Sequence, residues 1–166
     1  MTIEGERVTL RPLRVDDAAP LAAAGSDPEI ARWWPDITEE ELVAKAEGRD
    51  DVDGFAIEHE GELVGMAQVW ENPDPEFRYA NIDLFLDVRF HDRRLGRDAV
   101  RALARWLVTD RGHHRLTIDP AADNERAIRC YEAAGFKRVG VMRRYWRDPQ
   151  GEWRDGLLLD LLAEEL

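Results

Sequence analysis

Twenty residues, TIDPAADNERAIRCYEAAGF from Thr117 to Phe136, constrain the fold more than any other stretch. His114 to Ile118 reads as a short strand, and it runs directly into Asp119-Pro120. Asp123 then offers an N-cap for a helix to Ala134, with Gly135 where a helix closes in a left-handed turn. Ala127, Ile128, Tyr131 and Ala134 share one face of that helix. A strand passing so quickly into an amphipathic helix calls for a sheet with helices laid on it.

The rest of the chain supplies both layers. Arg7 to Leu13 alternates as a strand, and Val15 to Ala24 follows as an alanine-rich helix. Asp27-Pro28-Glu29 places a cap, a proline and an acid at the start of a short helix to Trp34, which Pro35 stops. Thr38 and Glu41 form a capping box, opening a helix that Gly48 closes. Gly54 to His59 and Glu62 to Trp70 are strands joined at Glu60-Gly61, and Tyr79 to Asp87 is a third. The loop RFHDRRLG leads to a helix from Arg97 to Thr109, whose Ala99, Val100, Leu103, Trp106 and Leu107 line one face. Phe136 to Tyr145 and Trp153 to Leu162 close the chain as two strands around RDPQG. The expected fold is α/β (α+β), a mixed central sheet of about seven strands flanked by helices, in one domain over residues 1–166.

Composition narrows the function. A formal net charge of −12 disfavours nucleic acid and anionic membranes and suits a cationic small molecule. Cys130 is the only cysteine, so no internal disulfide can form, and the four histidines lack metal-ligand spacing. No metal site is expected. The start MTIEGERVTL lacks the basic and apolar regions of a secretion signal, and no apolar run of membrane-spanning length occurs, so a cytoplasmic protein is expected. Monomer and homodimer both stay open.

Several residues carry possible chemistry. Asp83, between Ile82 and Leu84 in a strand, is either paired with an arginine or free to act as a general base or amine anchor. Asp119 stands at a strand's C-terminal end, where open sheets build ligand sites, but on local signal alone an Asp-Pro turn is the better explanation. Tyr131 is a core tyrosine or a proton donor aimed into a cavity. HDRRLG leads into a helix N-terminus that suits a pyrophosphate, with Arg93, Arg94 and Arg97 adding positive charge. Trp33 and Trp34 cannot both face a core, so at least one is available to stack on a ligand.

Together these segments resemble the GCN5-related N-acetyltransferase (GNAT) superfamily over nearly the whole chain. Within it they look most like the aminoglycoside 6′-N-acetyltransferases. The resemblance rests on D-P-x-x-x-N-x-R-A-I-R-C-Y-E-x-A-G-F from Asp119 to Phe136, the pair Trp33-Trp34, G-E-x-x-G-x-A-Q from Gly61 to Gln68, and I-D-x-x-L around Asp83. The C-terminal hairpin with Trp146 and Trp153 looks instead like that of ribosomal-protein N-terminal acetyltransferases.

The resemblance implies two central parallel strands that splay apart, with acetyl-coenzyme A between them and no metal. It implies cofactor contacts from Leu84, Leu86, His91, Arg93, Arg94, Gly96, Arg97, Asn124, Ala127 and Tyr131. Asp83 would be the catalytic base, Tyr131 the proton donor to the leaving thiolate, and Asp119, Trp33, Trp34 and Gln68 the acceptor-binding residues. The implied reaction is acetylation of a primary amine, the 6′-amine of an aminoglycoside. A protein N-terminus, a polyamine or another small amine is the alternative acceptor, and a non-catalytic binding protein the second alternative. The family's loop pattern Q/R-x-x-G-x-G/A is met only in part, because His91 replaces the first residue and Arg94 the first glycine. Arginine resists the positive φ that glycine allows, so weakened or rearranged cofactor binding is expected.

Overall fold

The computed structural model describes residues 1–35 and 37–166. Its strands are β1 (Ile3–Glu4), β2 (Thr9–Pro12), β3 (Asp53–His59), β4 (Glu62–Glu71), β5 (Ala80–Leu86), β6 (Arg115–Ile118), β7 (Lys137–Arg147) and β8 (Trp153–Leu162). They form one sheet in the order β1-β2-β3-β4-β5-β6-β8-β7. Every neighbouring pair is antiparallel except β5 and β6. The helices are α1 (Ala18–Gly25), α2 (Pro28–Ala31), α3 (Glu39–Ala46), α4 (Leu95–Thr109) and α5 (Glu125–Ala134).

Two apolar layers hold the helices to the sheet. Even-numbered residues of β5 and β6, among them Ala80, Ile82, Leu116 and Ile118, pack with α4 and α5. Phe85, with Ala56 and Met66, packs on the other face against Leu21, Ile30 and Leu42 of α1, α2 and α3. Because side chains alternate along a strand, Asn81 and Asp83 share the Phe85 face. That alternation puts two polar side chains under one helical layer and leaves the opposite face apolar.

Eight strands form where seven were expected. The extra one, β1, is too short to show alternation, and a residue far along the chain makes it possible. Asp98 of α4 is buried and accepts hydrogen bonds from the backbone N–H groups of Glu6, Arg7 and Val8 at 3.0, 2.7 and 3.0 Å, fixing the β1–β2 turn. Strand β2 is shorter than Arg7 to Leu13 for the same reason, since that turn absorbs Arg7 and Val8. The Val15 to Ala24 helix begins as a 3-10 turn, Val15–Asp17, before α1 starts.

Other boundaries moved by a few residues. Helix α2 ends at Ala31, so Trp33 and Trp34 lie in the turn after it. Thr38 and Glu41 make the expected capping box. Glu60 and Gly61 both take positive φ, 52° and 80°, as a two-residue hairpin turn requires. Helix α4 starts at Leu95, two residues before the expected Arg97, so Gly96 belongs to its first turn. Helix α5 is capped by Asn124, not Asp123: the Asn124 side chain accepts from the Ala127 N–H at 3.3 Å. Asp123 is drawn away to Arg154, 2.8 Å from its carboxylate.

Candidate active site

Strands β5 and β6 pair only at Ala80 with Leu116 and Asn81 with Thr117. Beyond that point they separate, and from Ile82 onward the β6-facing edge of β5 has no strand partner. The gap opens into a cleft of about 950 Å³. It is lined from below by β5, by the N-terminal ends of α4 and α5, by the turn after α2 and by β7.

One end of the cleft holds two carboxylates. Asp119 follows the last residue of β6, and its oxygens accept from Asn81 Nδ2 at 2.9 Å and from the Tyr145 hydroxyl. Asp83 lies two residues past Asn81 on the same strand face and accepts from the Leu84 N–H at 3.0 Å. Among the described residues neither carboxylate has a cationic partner. Burial, followed by the negative charge of Asp119, pushes Asp83 up to about 7. A carboxylate in that range takes and releases a proton near neutral pH.

Tyr131 of α5 reaches the same space. It is 6% exposed, and its hydroxyl has no hydrogen-bond partner among the described residues. Burial and the nearby Asp83 push it well above the usual tyrosine range, so it holds its proton. Trp34 packs edge-on against Phe85 with centroids 5.5 Å apart, while Trp33 lies under the Arg32 guanidinium at 4.3 Å. Both indoles line the cleft.

The other end is cationic. Arg94 caps α4 with φ 64° and ψ 10°, so arginine adopts the left-handed conformation that the glycine of the family pattern takes at no steric cost. Gly96 follows inside the first turn, and a side chain there would meet Cys130 Sγ at 3.4 Å and Leu86 at 3.6 Å. Arg94 and Arg97 line the cleft with no carboxylate partner among the described residues. His91 bridges the two walls: Nε2 bonds the Leu86 carbonyl at 2.8 Å, which makes it the donor, and Nδ1 then accepts from Arg126 of α5. Free helix N–H groups, unpaired guanidinium groups and an open strand edge form a cradle suited to a phosphorylated, amide-containing chain.

A sequence model of the acetyltransferase (GNAT) domain matches residues 7–137. The chain belongs to that family. This acetyltransferase is 30% identical over 162 residues to the aminoglycoside N(6′)-acetyltransferase type 1 of Klebsiella pneumoniae, covering 86% of this chain and 80% of that protein. It is 32% identical over 154 residues to the N-alpha-acetyltransferase RimI of Mycobacterium tuberculosis, with 89% of each chain covered. Among solved structures, AAC(6′)-Ib in complex with parmomycin and acetyl-CoA superposes with a TM-score of 0.79 at 27% identity, over 96% of both chains. No helix of the acetyltransferase is long and apolar enough to cross a membrane, among the described residues.

The acetyltransferase's fold brings most of the sequence candidates to the cleft. Asp83, Asp119, Tyr131, Trp33, Trp34, Leu84, Leu86, His91, Arg94, Gly96, Arg97, Asn124 and Ala127 line it. Arg93 and Gln68 are not among the lining residues. Arg93 lies over the Phe90 ring at 5.2 Å, and Gln68 sits across from Asp83 in the β4–β5 register with its Oε1 buried and, among the described residues, unpartnered. The sequence reading missed Tyr145 and Arg126, which line the cleft, and Asn81, which holds Asp119 by a hydrogen bond. Asn81 had a signal in its spacing, two residues before Asp83 on the same strand face. Tyr145 had none, because a break in strand register determines where it points.

Proposed function

We propose that this N-acetyltransferase moves an acetyl group onto a primary amine of a cationic acceptor, and that the acceptor is the 6′-amine of an aminoglycoside. The observation that carries the reading is the pair Asp83 and Asp119, half-buried where β5 and β6 part and without a cation among the described residues. Two such carboxylates provide a place for an ammonium and a base to take its proton. The likeness to aminoglycoside 6′-acetyltransferases supports the choice of acceptor.

Acetyl-CoA is the donor, and the cradle fits it. Arg94, Arg97 and Arg126 would hold its phosphates with the first N–H groups of α4, and the Leu84 carbonyl and Leu86 N–H, on the edge of β5 that β6 leaves, would take its amides. Bound there, it supplies an activated thioester whose sulfur leaves as a thiolate. Asp119 fixes the acceptor ammonium by charge. Asp83 removes a proton from the ammonium nitrogen, which frees the lone pair for attack. Tyr131 stays protonated, so its hydroxyl is a donor to the sulfur as negative charge develops there and the thiolate leaves.

The test is release of free coenzyme A thiol with acetyl-CoA and a panel of kanamycin-type aminoglycosides, polyamines and N-terminal peptides. Turnover on aminoglycosides bearing a free 6′-amine, lost in Asp83→Asn, is expected. Turnover confined to peptides would move the acceptor to a protein N-terminus. The β7–β8 hairpin favours that second reading, because Tyr145 and Trp146 bring an aromatic wall to the acceptor end and RimI is a relative of comparable identity.

A further inference from the structure

We propose that Tyr145 is a positioning residue of the acceptor site, which orients Asp119 toward the incoming ammonium and thereby sets acceptor recognition; this rests on the amine-acceptor reading above. The geometry has four parts. The Tyr145 hydroxyl donates to Asp119 Oδ2 across 26 positions of sequence, while Asn81 Nδ2 donates to Oδ1 at 2.9 Å. With one donor on each oxygen the carboxylate plane is fixed, and each oxygen keeps a lone pair for a further donor. Burial and the Asp119 charge push Tyr145 upward, so its hydroxyl stays protonated and remains a donor.

The hairpin is shaped to deliver this side chain. Between Met142 and Trp146 the β7–β8 register slips, and Arg144 takes φ 49° with its N–H donated to Asp155 Oδ1 at 2.9 Å. Such a bulge re-aims the residue that follows it. The ring then lies over Gly156, where an added Cβ would come within 2.6 Å of Tyr145 Cδ1. Only glycine leaves room for it.

The same hairpin anchors the Asp119 loop. Leu157 N–H donates to the Pro120 carbonyl and Ala122 N–H to the Asp155 carbonyl, both at 2.9 Å. One hairpin therefore holds Asp119 by its side chain and the residues just after it, Pro120 and Ala122, by their main chain. Tyr145 itself is 47% exposed and lines the cleft, so its ring also forms part of the wall that an acceptor touches.

Two measurements test this. The first uses free enzyme: urea unfolding of Tyr145→Phe, Asp119→Asn and the double variant. Non-additive effects are expected; additive effects overturn the inference while leaving the amine-acceptor reading intact. The second is steady-state kinetics of Tyr145→Phe and of Gly156→Ala, which keeps the Tyr145 hydroxyl but displaces it, on whichever amine of the panel the wild type acetylates. Both variants should raise the acceptor KM about tenfold or more, with kcat within about threefold and the acetyl-CoA KM unchanged. A loss in kcat, or an equal rise in both KM values, overturns the inference, as does an unchanged acceptor KM. If the wild type acetylates no amine, the amine-acceptor reading fails and this inference fails with it.

Discussion

Replacing Asp83 with asparagine should stabilise the protein at alkaline pH while abolishing turnover. Burial and Asp119 raise the carboxyl from 3.8 to about 7. In the unfolded chain it titrates near its ordinary value. Below pH 3.8 both states hold the proton and the residue has no effect on stability. Between there and pH 7 the unfolded chain has released its proton and the folded protein has not, so stability falls as pH rises. Three pKa units at 1.36 kcal/mol each give a penalty of up to about 4 kcal/mol, complete above pH 7. Asparagine keeps the shape and an oxygen for the Leu84 N–H but cannot ionise. The stability gap between Asp83→Asn and wild type should therefore be small at pH 4 and approach that limit at pH 8. Urea unfolding of both proteins at both pH values measures it, and titrating groups distant from Asp83 cancel in the comparison. A gap of equal size at pH 4 and pH 8 would refute a desolvated, charge-strained carboxylate at this position. Coenzyme A thiol release supplies the second half, since loss of the proposed base should remove activity even as the protein becomes more stable.

Tyr131→Phe should lower kcat by about 10² to 10⁴ with little change in the acetyl-CoA KM, read by thiol release; a defect in KM alone would make Tyr131 a binding residue. Asp119→Asn removes the second cause of the raised Asp83 value, so the acidic limb of kcat/KM should move below pH 7. An unmoved limb would show that burial alone sets it.

Regular elements were legible in the sequence where a local signal specified them. The Thr38 capping box, the Glu60-Gly61 turn and the Gly135 helix end each depend on residues within four positions of one another, and each stands as expected. Features set by distant partners were not legible. Strand β1 exists because Asp98, about ninety residues away, takes three N–H groups from the β1–β2 turn. Asp123 looked like the α5 cap because nothing in the local pattern reveals Arg154 beside it. Gly65 shows the same limit: it sits where a side chain would come 2.2 Å from the Phe85 carbonyl, a requirement set by β5. In the site, Asp83 could be singled out as an ionisable residue in a strand, but the choice between ion pair and free base needed three dimensions. None of the chain's arginines reaches it, among the described residues.

The charge of −12 also means something different once the cleft is seen. Taken over the whole molecule, it predicts that an anionic cofactor is repelled and that salt, by screening, helps it bind. Locally the cleft is bipolar. Among the described residues, Arg94 and Arg97 stand without carboxylate partners at the α4 end, while Asp83 and Asp119 stand without cations where the strands separate. At distances of a few ångströms the local groups dominate, because net charge acts through a Debye length of about 30 Å at 0.01 M salt and about 10 Å at 0.1 M. Raising salt over that range should therefore weaken acetyl-CoA binding, despite the protein's negative charge, and should raise the KM of a polycationic acceptor as well. Isothermal titration with coenzyme A at the two salt concentrations decides between the pictures. Tighter binding at high salt would mean that the arginines at the α4 end do not hold the cofactor's phosphates, and the assignment of that end of the cleft would have to be withdrawn.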